Sequence, residues 1–256
     1  MKVKEYISHE TPVTQVHVQT EQDAKALARL CGQYITLDTG PLDKLVSHQN
    51  VCACLADQLT CLLKPFFGKT LCVCGIGNRD MPSDSLGPET ARRFRPQMYE
   101  ASALSSNFEK IAVICPDTSA QTNLSTEEII AGVTSRIGVA CVLAVDACTC
   151  KEAKRLCSAI DMTDTGMQTY SKTSELRQST LGIPVISIEV PTAIRVADLS
   201  VKADAGPDYF LTPISISDVI DAASFIIACA ISQMAYPELD YKNCKQYIEF
   251  SLHGVV

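Results

Sequence analysis

Four strand-length runs, apolar at almost every position, constrain this chain more than any other feature. They are residues 71–76 (LCVCGI), 111–115 (IAVIC), 139–145 (VACVLAV) and 184–190 (PVISIEV). A strand with one wet face alternates apolar and polar residues. Runs that are apolar on both sides need a sheet covered on both faces, usually a parallel one. Helical signals lie between the runs. Gly87-Pro88 puts proline in the first turn of a helix, and Ser125 with Glu128 forms a capping box ahead of Ile129, Ile130 and Val133. The implied fold class is α/β, a three-layer αβα arrangement with a mostly parallel central sheet.

Residues 1–69 read as a strand–helix extension packed on a 70–256 core, the whole forming a single α/β domain. Residues 13–19 alternate as a strand. Thr20 with Asp23 caps a helix that Gly32 ends, and residues 34–37 form a second strand. Beyond Pro41, Leu42, Leu45, Cys52, Leu55, Leu59 and Leu62 mark one helical face that Pro65 stops. Residues 162–180 are polar and predict a long loop, a length that is often functional. The run 222–235 predicts a buried helix, too short to cross a bilayer.

Composition narrows the function. The chain is acidic, with 22 Lys+Arg against 29 Asp+Glu, and has no long basic run, which argues against a nucleic-acid partner. No apolar signal region follows the charged start, so a membrane role is not expected and a cytoplasmic location is. The 13 cysteines lie mostly inside apolar runs and recur as C-x-C rather than paired C-x-x-C. They read as small core hydrophobes in a reducing interior, not as disulfides or a zinc site. No cofactor or metal is called for.

Serine or cysteine hydrolysis lacks its parts. There is no G-x-S-x-G elbow, and the histidines, His9, His17, His48 and His253, all lie outside residues 49–252. The turn Gly75-Ile76-Gly77-Asn78 follows a buried strand as a phosphate loop would. However, Asp80 stands where the third glycine of a dinucleotide fingerprint belongs, and Asp80 and Asp84 would repel phosphate. Carboxylates remain. Asp84 lies in the loop after the first apolar run, and Asp146 directly follows the third. In an open parallel sheet ligands bind at the strands' carboxyl ends, so both side chains are expected in one cleft. An aspartate on so apolar a strand needs a partner, a proton or a chemical role; capping a helix or accepting backbone N–H groups is the structural alternative. Asp38-Thr39-Gly40 and Asp164-Thr165-Gly166 resemble the triplets of two-lobed aspartic proteases, but here one reads as a turn and the other as part of the polar loop.

Together these stretches resemble the spore germination proteases, atypical aspartic endopeptidases that degrade small acid-soluble spore proteins. The resemblance rests on Gly75-Ile76-Gly77-Asn78 with Pro82-Ser83-Asp84-Ser85-Leu86-Gly87-Pro88, on Ala144-Val145-Asp146-Ala147, on Thr180-Leu181-Gly182-Ile183-Pro184-Val185-Ile186 and on Val190-Pro191-Thr192. It runs in order from about residue 16 to 197. It implies a fold like that of hydrogenase maturation peptidases and phosphorylases, and catalysis by Asp84 and Asp146. It also implies spore-protein substrates, a spore-core location, zymogen control and a homo-oligomer, a tetramer in the family. Gly77, Asn78 and Asp164 are the candidates for substrate or oxyanion contacts. One departure stands out: the family's glycine-rich stretch after its D-[ST]-G is replaced by Met167-Gln168-Thr169-Tyr170-Ser171-Lys172. That change motivates a second reading, a non-catalytic sporulation-associated member. A third is a nickel-dependent hydrogenase maturation peptidase, whose G-I-G-N loop is similar.

Overall fold

The computed structural model describes residues 1–168, 175–199 and 209–253. Its strands are β1 (Lys2–Ser8), β2 (Thr11–Val18), β3 (Gly32–Asp38), β4 (Thr70–Gly75), β5 (Lys110–Ile114), β6 (Cys141–Cys150), β7 (Ala159–Thr163), β8 (Met167–Gln168), β9 (Glu175–Leu176), β10 (Val185–Arg195) and β11 (Phe210–Leu211). The helices are α1 (Glu21–Leu27), α2 (Gln49–Leu63), α3 (Leu86–Arg93), α4 (Pro96–Ala101), α5 (Ser119–Thr122), α6 (Thr126–Ile137), α7 (Gln178–Leu181), α8 (Ile216–Ala235) and α9 (Tyr241–His253).

The four apolar runs become β4, β5, β6 and β10, and they pair in parallel in the order β10-β6-β4-β5. The sheet does not end there. β7 joins β10 antiparallel, β3 joins β7, and the β1–β2 hairpin completes a nine-stranded mixed sheet with the short β11. The N-terminal strands thus prolong the sheet itself rather than packing on a finished core. Strand β1 escaped the sequence pattern because it is an exposed edge with no apolar face to alternate.

Side chains alternate between the two faces of a strand, and each face has its own core. Leu71, Val73, Leu143, Val145, Ile186 and Ile188 pack with Leu55 and Leu59 of α2 and Ile226 and Ile227 of α8. Cys72, Cys74, Val142, Ala144 and Val185 pack on the other side with Ile130 of α6. Both cysteines of the β4 C-x-C therefore point to one face, and burial pushes the Cys72 thiol up to about 12, far from a reactive thiolate. All 13 cysteines are free. Helix α8 begins six residues before the predicted segment. It is long and apolar enough to span a bilayer, but its side chains are largely buried in the core, where Ser232 bonds the Tyr99 hydroxyl at 2.8 Å.

Local signals account for several boundaries. Thr20 Oγ1 accepts the Asp23 N–H at 3.2 Å, and Ser125 and Glu128 close the capping box at 3.1 and 2.8 Å. Helix α1 stops at Leu27, earlier than the glycine signal suggests, because Ala28 takes the left-handed conformation with φ 50° and Gly32 opens β3. The polar stretch 162–180 contains more structure than a loop, with the end of β7, the β8–β9 pair and α7; residues 169–174, part of the substituted stretch, lie outside the described residues.

One contact positions everything that follows. A Cβ on Gly87 of α3 would strike the Ile76 backbone and the Val145 carbonyl, so only glycine lets α3 lie on the end of β4. Gly132 in α6 has open space around its missing Cβ. Gly87→Ala should therefore destabilise the fold by about 1–3 kcal/mol or more, whereas Gly132→Ala should stabilise it by roughly 0.5–1 kcal/mol. Urea denaturation of the two variants checks the opposite signs.

Candidate functional site

The parallel half of the sheet has a reversal of strand order between β4 and β6. From β4 the chain passes to β5 on one side, then crosses back to β6 on the other. Adjacent strands at such a point send their following segments to opposite faces and leave a crevice at their carboxyl ends. Asp84 and Asp146 come from these two strands.

Asp146 is not at the end of its strand. β6 continues to Cys150, but β4 stops at Gly75, which pairs with Val145. On one side Asp146 is therefore in register with Glu189 of β10, and on the other it faces the loop that follows β4. That loop is tightly bound. The Ile76 N–H donates to the Val145 carbonyl at 2.8 Å, and Met81 and Asp84 close successive turns onto the Asn78 and Met81 carbonyls. Thr192 of β10 donates its hydroxyl to the Ser83 carbonyl at 2.7 Å. Gly77 has φ 120°, and a Cβ there would meet the Asp84 carbonyl, so the turn requires glycine. The result brings Asp84 back over the end of β4.

The two carboxyls differ in environment. Asp146 is 7% exposed and accepts the Ala147 N–H at 2.8 Å. Burial raises its pKa well above the ordinary carboxylate value, and the nearby charges of Asp84 and Glu189 raise it further. Asp84 is half-buried and accepts the Asn78 N–H at 2.8 Å. Burial raises its pKa too, but that hydrogen bond favours the ionised form and opposes the rise. One group is built to hold a proton and the other to lose it more readily.

The other candidates have different places. Gly77 shapes the turn, and the Asn78 N–H donates to the Asp84 carboxylate and so orients it. Asp164 is not brought to the pair. It is exposed, and its carboxylate accepts the Gln33 N–H at 2.7 Å where β3 and β7 meet. The histidines whose side chains are described also lie elsewhere: His9 bonds Asp57, His48 packs against Phe225, and His17 is exposed on β2. Among the described residues no group of three or more His, Cys, Asp or Glu is arranged to hold a metal ion.

Glu189 is the functional candidate that sequence reasoning passed over. It lies in the sheet between Asp146 and Asp161 of β7, in register with both. Its signal was available, since a lone acid inside an apolar run is as costly on β10 as on β6. Burial and Asp161 push it up to about 7, while Arg177 and Arg29 act against the rise.

A raised carboxyl pKa gives a definite pH dependence of stability. The protonated Asp146 is tolerated in the fold, and its ionisation is not, so stability is fully present below the unfolded-state pKa of about 4 and is lost as pH rises towards the folded pKa. Asp146→Asn should therefore resist urea better than the wild type at pH 8. The difference should shrink towards zero near pH 4, and equal midpoints at both pH values would contradict the assignment.

A sequence model of the germination protease family matches residues 1–215. The chain is 29% identical to the germination protease of Clostridium tetani over 210 residues, covering 78% of this chain and 65% of that protein. It is 23% identical to that of Clostridium perfringens (strain ATCC 13124) over 297 aligned positions, covering 94% and 90%, and 27% identical to that of Geobacillus sp. over 198, covering 72% and 53%. It thus spans about two thirds of the first of these relatives and half of the last. Among solved structures, a [NiFe] hydrogenase maturation protease, HycI from Thermococcus kodakarensis, matches 69% of this chain and 97% of its own at 14% identity, with a TM-score of 0.41. With a family match reaching from the first strand to the last turn before α8, the chain belongs to the germination protease family.

Proposed function

We propose that this protein is an endopeptidase in which Asp84 and Asp146 together activate water, acting on small acid-soluble spore proteins during germination. The observation that carries the reading is the unequal pair of carboxyls where β4 ends beside β6: Asp146 is buried and is raised well above the ordinary value by burial and by the charges of Asp84 and Glu189, while the half-buried Asp84 is raised less strongly. Of the two, Asp146 is the one whose surroundings favour the acid form more strongly, which suits it to hold the proton while Asp84 carries the charge.

In the proposed reaction Asp84 accepts a proton from water as the water oxygen bonds to the peptide carbonyl carbon. The Asp146 proton hydrogen-bonds the carbonyl oxygen as negative charge develops there. Collapse breaks the C–N bond, and a carboxyl proton passes to the leaving amine. Two carboxyls in one crevice do not readily ionise together, which keeps one acid and one base available over a range of pH. Membership of the family supports the substrate class, a location in the spore core and a homo-oligomeric, tetrameric assembly.

The donor set around the pair is carboxylate, with the described histidines remote from it, which favours this reading over nickel-dependent maturation. Replacing Asp84 or Asp146 by Asn should lower peptide cleavage by roughly 10²–10⁴-fold or more while the fold remains intact by circular dichroism. Retention of cleavage in both variants would reject the pair. A wild-type protein that cleaves no spore-protein substrate would instead support the non-catalytic reading.

A further inference from the structure

The β6, β10 and β7 strands carry Asp146, Glu189 and Asp161 side by side at one register level, hence on one face of the sheet with neighbouring Cβ atoms about 5 Å apart. The outer two have partners. Asp161 is held by Arg155 and by the Thr36 hydroxyl at 2.6 Å, and Asp146 by the Ala147 N–H. Among the described residues no donor hydrogen-bonds the Glu189 carboxylate, although its backbone is paired on both sides. It borders a cavity of about 500 Å³ lined also by Arg29, Tyr34, Asp161, Thr163 and Arg177.

The charged groups around that cavity leave Glu189 free to change charge. Arg177 is paired with Glu175 at 3.0 Å, and the Arg29 guanidinium lies over the Tyr34 ring, 4.5 Å from its centre. Both are near enough to favour the Glu189 anion without binding it. From β6, Asp146 and the half-buried Cys148 face it; from β7, Asp161 does, ion-paired with Arg155. Glu189 is thus the one carboxyl in the row that touches both the catalytic neighbour and an open space.

We propose that Glu189 is a positioning residue for the aspartate pair: its carboxylate, one strand away, holds the proton on Asp146 as the pH rises. This deepens the two-aspartate reading and rests on it. As Glu189 ionises, around pH 7, its negative charge makes loss of the Asp146 proton harder, so the acid of the pair stays in place when it would otherwise be lost. The cavity lets the Glu189 proton exchange with solvent without opening the crevice.

The test is the pH profile of kcat/KM for peptide cleavage from pH 5 to 9 in the wild type, Glu189→Gln and Glu189→Asp. Gln removes the charge, so the alkaline limb should move to lower pH by roughly one unit or more, with the acid limb, set by Asp84, in place. Asp keeps a charge and should keep most of the alkaline limb. A Gln variant whose profile falls in height without moving would overturn the proposal, because a packing defect alone does that. The Asp146 carboxyl titration, followed by ¹³C NMR with Asp146→Asn for assignment, gives a readout that needs no activity. It should move to lower pH in Glu189→Gln, and an unchanged titration overturns the proposal even in a chain that does not cleave. Failure of the pair itself would show differently, as cleavage surviving in Asp84→Asn.

Discussion

The whole site depends on one constraint, a carboxyl group held inside a sheet that has almost no water. Asp146 lies on a strand whose neighbours Val142, Ala144 and Val145 are completely buried. An ion there is expensive, and a single backbone N–H does not compensate for lost hydration. The surroundings of the group favour its neutral form. Everything nearby that carries charge, Asp84 and Glu189 alike, is negative and acts in the same direction. What would be a defect in a structural strand becomes, under the proposed reading, a proton held where β4 ends beside β6.

The proposed acid needs a neighbour that gives its proton up more readily, and burial and neighbouring charge supply the difference. Asp84 belongs to a turn whose dimensions are fixed by two glycines: Gly77, in a conformation other residues rarely adopt, and Gly87, against which the Ile76 backbone lies directly. The turn aims the Asn78 N–H at the Asp84 carboxylate. Two aspartates of the same intrinsic acidity, each accepting one backbone N–H, therefore differ because Asp146 is more deeply buried and lies beside other carboxylates.

Much of this was legible in the sequence, for identifiable reasons. Apolar runs on both faces demand cover, so the parallel strands and flanking helices follow from residues 71–76, 139–145 and 184–190. The rule that ligands sit at strand carboxyl ends then singles out Asp84 and Asp146. Three things were not legible. β1 carries no apolar face, so no periodicity marked it. Continuation of β6 past Asp146 depends on pairing with β10, a long-range contact that residues 141–150 do not encode by themselves. The fate of Asp164 was set by Gln33, distant in the chain, which binds its carboxylate through strand pairing. Local chemistry can be read from local sequence, whereas register has to be seen.

Register also explains why Glu189 matters more than its isolation in the sequence suggests. Within β10 it is a single acid between Ile188 and Val190. In the sheet it stands between two aspartates from strands that precede it in the chain, and burial and the Asp161 charge raise its proton affinity. Cross-strand neighbours at one level interact as strongly as groups in direct sequence contact, and a dry interior magnifies the interaction. A charge placed one strand from the proposed acid therefore acts on it across the sheet. Because the same sheet face opens to a polar cavity on the far side of Glu189, the row connects the crevice with a solvent-reached space through side chains alone. The site is better described as an acidic row with one end at the β4 loop than as two residues meeting by chance.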